Sequence, residues 1–199
     1  MPETKGIPVF SPQVAQERVH VSLEPARRLC SPRLDNKFAA RIMNATQEIL
    51  VTKETWTEIS RHAEETFPDE CCGLVLSNGT TDHVRRVENI QNKLHALDPL
   101  TYPRTAAIAY AMDPRELETV LNEAGRTGAK LKAFYHSHPD HEAYFSAEDK
   151  AFATPFGEPT FPAAAQIVVS VYNRAVKTIK AFAWSDEAKD FVELAIRIV

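Results

Sequence analysis

The segment Tyr135-His136-Ser137-His138-Pro139, followed after a short loop by Ser146-Ala147-Glu148-Asp149, constrains this chain more than any other feature. Leu131 to Tyr135 has the composition of a strand. Side chains alternate along a strand, so His136 and His138 project to the same side of its end. That geometry offers two imidazoles to one metal ion. Asp149, placed at the start of the next helix, completes a set of three protein ligands. Three ligands leave a fourth position open, which is the layout of a catalytic zinc site rather than a structural one. The pattern therefore points to metal-assisted hydrolysis.

Amide hydrolysis also needs a group that takes a proton from water and returns it to the leaving amine. Glu70 is the candidate, because it stands where the first helix gives way to the strand that starts at Cys72. Ser146 can direct a hydroxyl toward a developing oxyanion. Taken alone, Ser146-x-x-Asp149 is also a helix capping box, and the two roles are compatible because capping fixes where Asp149 points.

Organisation along the chain agrees with one domain and an appendage. Residues 1–46 are punctuated by Pro2, Pro8, Pro12, Pro25 and Pro32 and hold no lasting period, so they are expected to be an extension, with one short helix at 37–45. The body, 47–199, mixes strands and helices. Thr52 caps a helix with Trp56, Ile59, Ala63 and Phe67 on one face. Cys72 to Leu76 and Val84 to Ile90 are paired strands around the Asn78-Gly79 turn. Residues 91–103 are expected to be a loop and 106–111 a strand. Asp113-Pro114-Arg115-Glu116 opens a helix, which Gly125 or Gly128 ends. Residues 166–172 and 177–184 form a hairpin, and the alternation of Val192, Leu194, Ile196 and Ile198 marks a last strand. The expected class is α/β (α+β), a mixed sheet flanked by helices.

A net charge of -4 gives no electrostatic case for nucleic acid as a partner. No apolar run approaches the roughly 20 residues that span a bilayer, and the first ten residues lack a secretory pattern. The 3 cysteines, two of them adjacent, make no disulfide framework. Together these favour a cytoplasmic protein without membrane contact.

The body resembles the JAMM (MPN+) metalloprotease family. The residues that carry the resemblance are Glu70 within Pro68-Asp69-Glu70-Cys71-Cys72-Gly73-Leu74, then His136-Ser137-His138-Pro139, then Ser146-Ala147-Glu148-Asp149. The helix before Glu70 and the run Tyr110 to Glu116 look like the bacterial branch. One departure is visible: Phe145 stands where many members have proline. The resemblance covers roughly residues 48–184 and implies the MPN fold, related to that of cytidine deaminases. It implies zinc on His136, His138 and Asp149, Glu70 as general base and acid, and Ser146 supporting the oxyanion. It further implies cleavage after the Gly-Gly tail of a ubiquitin-like protein, either to release conjugates or to mature a modifier or sulfur carrier. Activating-type and conjugating-type enzymes would be partners in such a pathway.

Blander alternatives bear on several of these residues. Some members of the fold are scaffolds, but those typically lack the ligands that this chain retains. A zinc deaminase would need His-x-Glu together with Pro-Cys-x-x-Cys, and the sequence has no Pro-Cys-x-x-Cys. Cys71 and Cys72 suit core packing, and His62 suits a structural role. His141 and Glu142 are expected to be solvated or substrate-facing, and Tyr144 to line a groove.

Overall fold

The computed structural model describes residues 48–199, so the expected extension over 1–46 and its helix at 37–45 lie outside the described residues. Eleven elements follow in order: β1 (Glu48–Val51), α1 (Lys53–Thr66), β2 (Cys72–Ser77), β3 (Asp82–Val87), α2 (Gln91–Leu97), α3 (Pro114–Thr127), β4 (Lys130–Pro139), α4 (Ala147–Ala153), β5 (Ala165–Tyr172), β6 (Ala175–Ser185) and β7 (Asp190–Ile198). The strands form one seven-stranded mixed sheet in the order β1-β7-β6-β5-β4-β2-β3. β4 and β5 run parallel, as do β1 and β7, and the other neighbours are antiparallel.

Local chemistry explains most of the boundaries. Thr52 caps α1, its Oγ1 accepting from the Thr55 backbone N–H at 3.2 Å. Asp113 caps α3 by accepting from the N–H groups of Arg115 and Glu116, and Gly128 ends that helix at φ 73°. In the hairpin between β5 and β6, Asn173 and Arg174 both take positive φ, 51° and 63°, as a two-residue connection of right-twisted strands requires.

The sheet buries one face against α1, where Ile59 and Ala63 meet Val75, Ala133, Tyr135, Ile167 and Val169. On the opposite face, Val120 and Ala124 of α3 cover Leu74 and Leu76, with Phe134 packed alongside. A separate cluster of Ala143, Phe145, Val168, Phe182 and Phe191 occupies that same face farther along. His136 shares the orientation of Phe134, two residues away, so it emerges on the side that carries these two clusters.

The stretch between β3 and α3 differs from expectation. Residues 91–97 form α2 rather than a loop, and 106–111 are turns rather than a strand, with only a bridge between Asn89 and Met112. Side-chain amides do there what a partner strand would have done. Asn89 Oδ1 accepts from the N–H groups of Gln91 and Ala111, and its Nδ2 donates to the carbonyls of Glu70 and Ala109. Asn92 Oδ1 accepts from Ala106 N–H, and Gln91 Nε2 donates to Arg104 O. With the backbone polar groups satisfied in this way, the segment needs no ladder.

Candidate metal centre

β4 is the strand that builds the site. It is hydrogen-bonded on both edges, to β2 through Cys72 opposite His136 and to β5 through the pairs His136–Val168 and His138–Ser170. Its last residues, His136 to Pro139, are buried. Ser137, between the histidines, faces the other way and is fully buried. Its Oγ accepts from Cys71 N–H at 2.8 Å, and its N–H donates to Cys71 O at 3.0 Å. The residue after Glu70 is thus fastened to the residue between the histidines. The sequence offered no reason to assign Ser137 that role beyond its place in the motif.

Three ligand atoms converge. His136 Nε2 and His138 Nε2 stand 3.1 Å apart. Asp149 Oδ2 is 3.5 Å from the first and 3.9 Å from the second. Donors about 2.0–2.1 Å from a tetrahedral zinc stand roughly 3.3 Å from one another, so these separations fit a single ion. The donor types fit as well. His138 Nδ1 lies 3.0 Å from the carbonyl oxygen of Glu142. A carbonyl only accepts, so the ring hydrogen sits on Nδ1 and the Nε2 lone pair is free to coordinate. Burial, with the neighbouring His136, lowers the His138 pKa to about 4, which keeps the ring neutral at pH 7.

Asp149 is held by the helix it begins. Burial works against its charge, but contacts with His136 and Ser146 outweigh that and bring its pKa down to about 2. The expected capping box is present: Ser146 N–H donates to Asp149 Oδ2 at 2.8 Å, and Asp149 N–H donates to Ser146 Oγ at 3.1 Å. The Ser146 oxygen is used as an acceptor there, which leaves its hydroxyl hydrogen for another partner.

Glu70 is 6% exposed and lies outside the group of three whose donor atoms are mutually within 4.8 Å. Its backbone is fixed at both ends, N–H to Ala106 O at 2.7 Å and C=O to Asn89 Nδ2 at 2.9 Å. Burial, and then the charge of Asp149, raise its carboxyl to about 8, against an opposing pull from Arg104. Arg104 itself forms a two-pronged ion pair with Glu148, the residue before Asp149.

Aromatic rings frame the centre. Tyr110 stacks on His136 with centroids 4.5 Å apart, and Tyr144, half exposed, meets His138 edge-on at 4.9 Å. Phe145 is buried against Phe182 and Phe191, so an aromatic anchor fixes the loop just before Ser146. Cys71 and Cys72 are buried, and burial pushes the Cys71 thiol up to about 12, which suits packing and not coordination.

A desampylase from Haloferax volcanii is 29% identical over 87 residues, which are 44% of this chain and 56% of that relative, so the match spans little more than half of its length. A protein from Desulfitobacterium hafniense of known solution structure is 24% identical and shares the fold, with a TM-score of 0.56 over 75% of this chain and 92% of its own. A JAB1/MPN domain protein from Archaeoglobus fulgidus is 19% identical, with a TM-score of 0.38 over 70% of this chain and 91% of its own. Residues 52–185 match the family described as prokaryotic homologs of the JAB domain. That span takes in Glu70, both histidines, Ser146 and Asp149 and exceeds half of the chain: the protein belongs to the prokaryotic JAB family.

Proposed function

We propose that this domain is a zinc-dependent peptidase or isopeptidase that cuts after the C-terminal tail of a ubiquitin-like protein. The observation that carries the proposal is the convergence of two imidazoles and one carboxylate, with a buried second carboxylate, Glu70, outside the set. His136, His138 and Asp149 would hold the ion. When bound, zinc supplies Lewis acidity toward water and a substrate carbonyl.

The chain's own residues do the rest. Burial and Asp149 raise the Glu70 carboxyl to about 8 in the metal-free chain; beside a bound cation it would shift back toward the carboxylate, the form that can take a proton from water and hand it to the leaving nitrogen. Ser146 can donate its hydroxyl to the substrate oxygen as negative charge builds there. The buried setting of both histidines strengthens these interactions by excluding bulk water.

A protein substrate is supported by exposed apolar side chains on the two segments that supply the site. Leu97 and Leu100 are 78% and 93% exposed on the segment that bonds the Glu70 backbone, and Phe152 is 70% exposed on α4 beyond Asp149. Such groups are suited to covering by a macromolecule. The likeness to a desampylase favours conjugates of ubiquitin-like proteins as substrates, hence deconjugation over sulfur-carrier maturation.

The test is incubation of the purified full chain with ubiquitin-like proteins, both as lysine conjugates and with extended C-termini, read by intact mass with and without chelator. Cleavage after the tail that chelator stops and zinc restores is the expected result. Cleavage insensitive to chelator, or undiminished in Glu70→Gln, overturns it. Zinc-free protein without any cleavage indicates a scaffold.

A further inference from the structure

His138 owes its coordinating tautomer to one backbone carbonyl, that of Glu142. This carbonyl lies in a loop, and loops move unless tied. Here the loop is tied at successive residues. Asp140 takes φ 54°, which folds the chain back over the strand end, and its N–H donates to Val171 O at 2.7 Å. Ser170 Oγ donates to His141 O at 2.6 Å. Lys177 Nζ reaches Glu142 Oε1 at 2.5 Å while lying 4.6 Å from the centre of the Tyr172 ring, and Tyr172 Oη meets the same carboxylate oxygen at 3.4 Å. Each of these partners belongs to the β5–β6 hairpin.

We infer that this hairpin is a positioning device for the metal: Ser170, seconded by Lys177, holds the 140–142 turn so that the Glu142 carbonyl locks His138 with Nε2 free for the ion. The inference rests on the metal reading above and adds residues that the ligand motif does not contain. Ser170 is the stronger element. It is fully buried and is the β5 residue paired with His138, so a lost hydroxyl leaves the His141 carbonyl without its partner and the turn free to shift. The Lys177–Glu142 pair is exposed on both sides, where an ion pair contributes little. Partners that orient a ligating histidine typically account for about 10–100-fold in metal affinity.

The experiment uses the full chain. Zinc affinity is measured by competition with a chromophoric chelator for wild type, Ser170→Ala, Lys177→Met and Lys180→Met. Lys180 lies on the same strand and bonds Glu193; its charge reaches Glu142 without a bond to it, so Lys180→Met is the control for losing a nearby charge alone. Ser170→Ala is expected to weaken zinc binding about tenfold or more. Lys177→Met should weaken it less, and Lys180→Met should leave it unchanged. Imidazole 15N spectra of the metal-free chain supply an independent readout. Wild-type His138 should be the Nδ1–H form, and the Nε2–H form should grow in Ser170→Ala. A Ser170→Ala protein with wild-type affinity and tautomer overturns the inference. So does a wild-type His138 in the Nε2–H form, which decides the matter if Ser170→Ala does not fold. If wild type binds no zinc, the metal reading fails, and the tautomer comparison alone judges the clamp.

Discussion

Ser146 and Asp149 hold each other from both directions, and the oxygen of Asp149 that accepts from Ser146 N–H is the one that faces His136 at 3.5 Å. Helix capping and the placing of the third candidate ligand are therefore one structure. Ser146→Ala removes the side-chain half of the box and should cost about 1 kcal/mol of unfolding free energy. It keeps the N–H that orients Asp149, so zinc affinity should fall only slightly. Asp149→Ala removes one of the three proposed ligands and should lower affinity by about a hundredfold or more. Urea titration and chelator competition measure the two effects separately.

Glu70 makes the metal-free protein sensitive to rising pH. Its carboxyl stays protonated in the fold up to about 8, whereas in the unfolded chain it ionises near 4.5. The stability it contributes is complete below the lower value and is lost as pH climbs toward the upper one. Glu70→Gln stays neutral throughout. In metal-free samples it should therefore gain on wild type between pH 5 and pH 8, by a few kcal/mol at most. Denaturation midpoints across that range check the sign. In zinc-loaded protein the same substitution should reduce turnover by about 10²–10⁴-fold.

His62 acts in the opposite sense. Its Nδ1 lies 2.8 Å from Tyr135 Oη, and burial, followed by the charge of Arg86, lowers its pKa to about 4. As pH falls from 6.5 toward 4, the unfolded chain takes up a proton that the fold refuses, so wild type loses stability over that window. His62→Gln can still bond the phenol and should flatten this part of the curve. Thermal unfolding at pH 7 and pH 4.5 would show the difference shrinking in the variant; an unchanged difference would reject the assignment.

Gly73 is fixed by the same tyrosine. A Cβ there would overlap the Arg85 carbonyl oxygen and come within 2.5 Å of Tyr135 Oη. The Arg85 oxygen belongs to β3, which is held in register against β2 and has little room to yield, so Gly73→Ala should cost about 1–3 kcal/mol or more through overpacking. Because Tyr135 precedes His136, zinc affinity should fall with it. Urea midpoints and chelator competition on the same samples test both parts.

What the sequence disclosed follows from the range of its signals. Asp113-Pro114 and Gly128 mark α3, Asn173-Arg174 marks a hairpin, and the three side chains that converge, His136, His138 and Asp149, stand out by spacing, because each is a local pattern. α2 and the turns at 106–111 were hidden. They are held by Asn89, Gln91 and Asn92, amides that work across as many as 22 positions and have no period. Phe145 was hidden for a similar reason, since its anchors Phe182 and Phe191 lie on β6 and β7. The carbonyl of Glu142 could not be found from residue types, because any residue supplies a carbonyl and only the path of the turn selects this one.

β4 is paired along both edges, and Ser137 rivets it to the peptide just past Glu70. An engineer who wanted different chemistry here would find no removable cartridge. The frame from Ala133 to Pro139 would have to be kept as it is, and novelty confined to the tips of a few side chains.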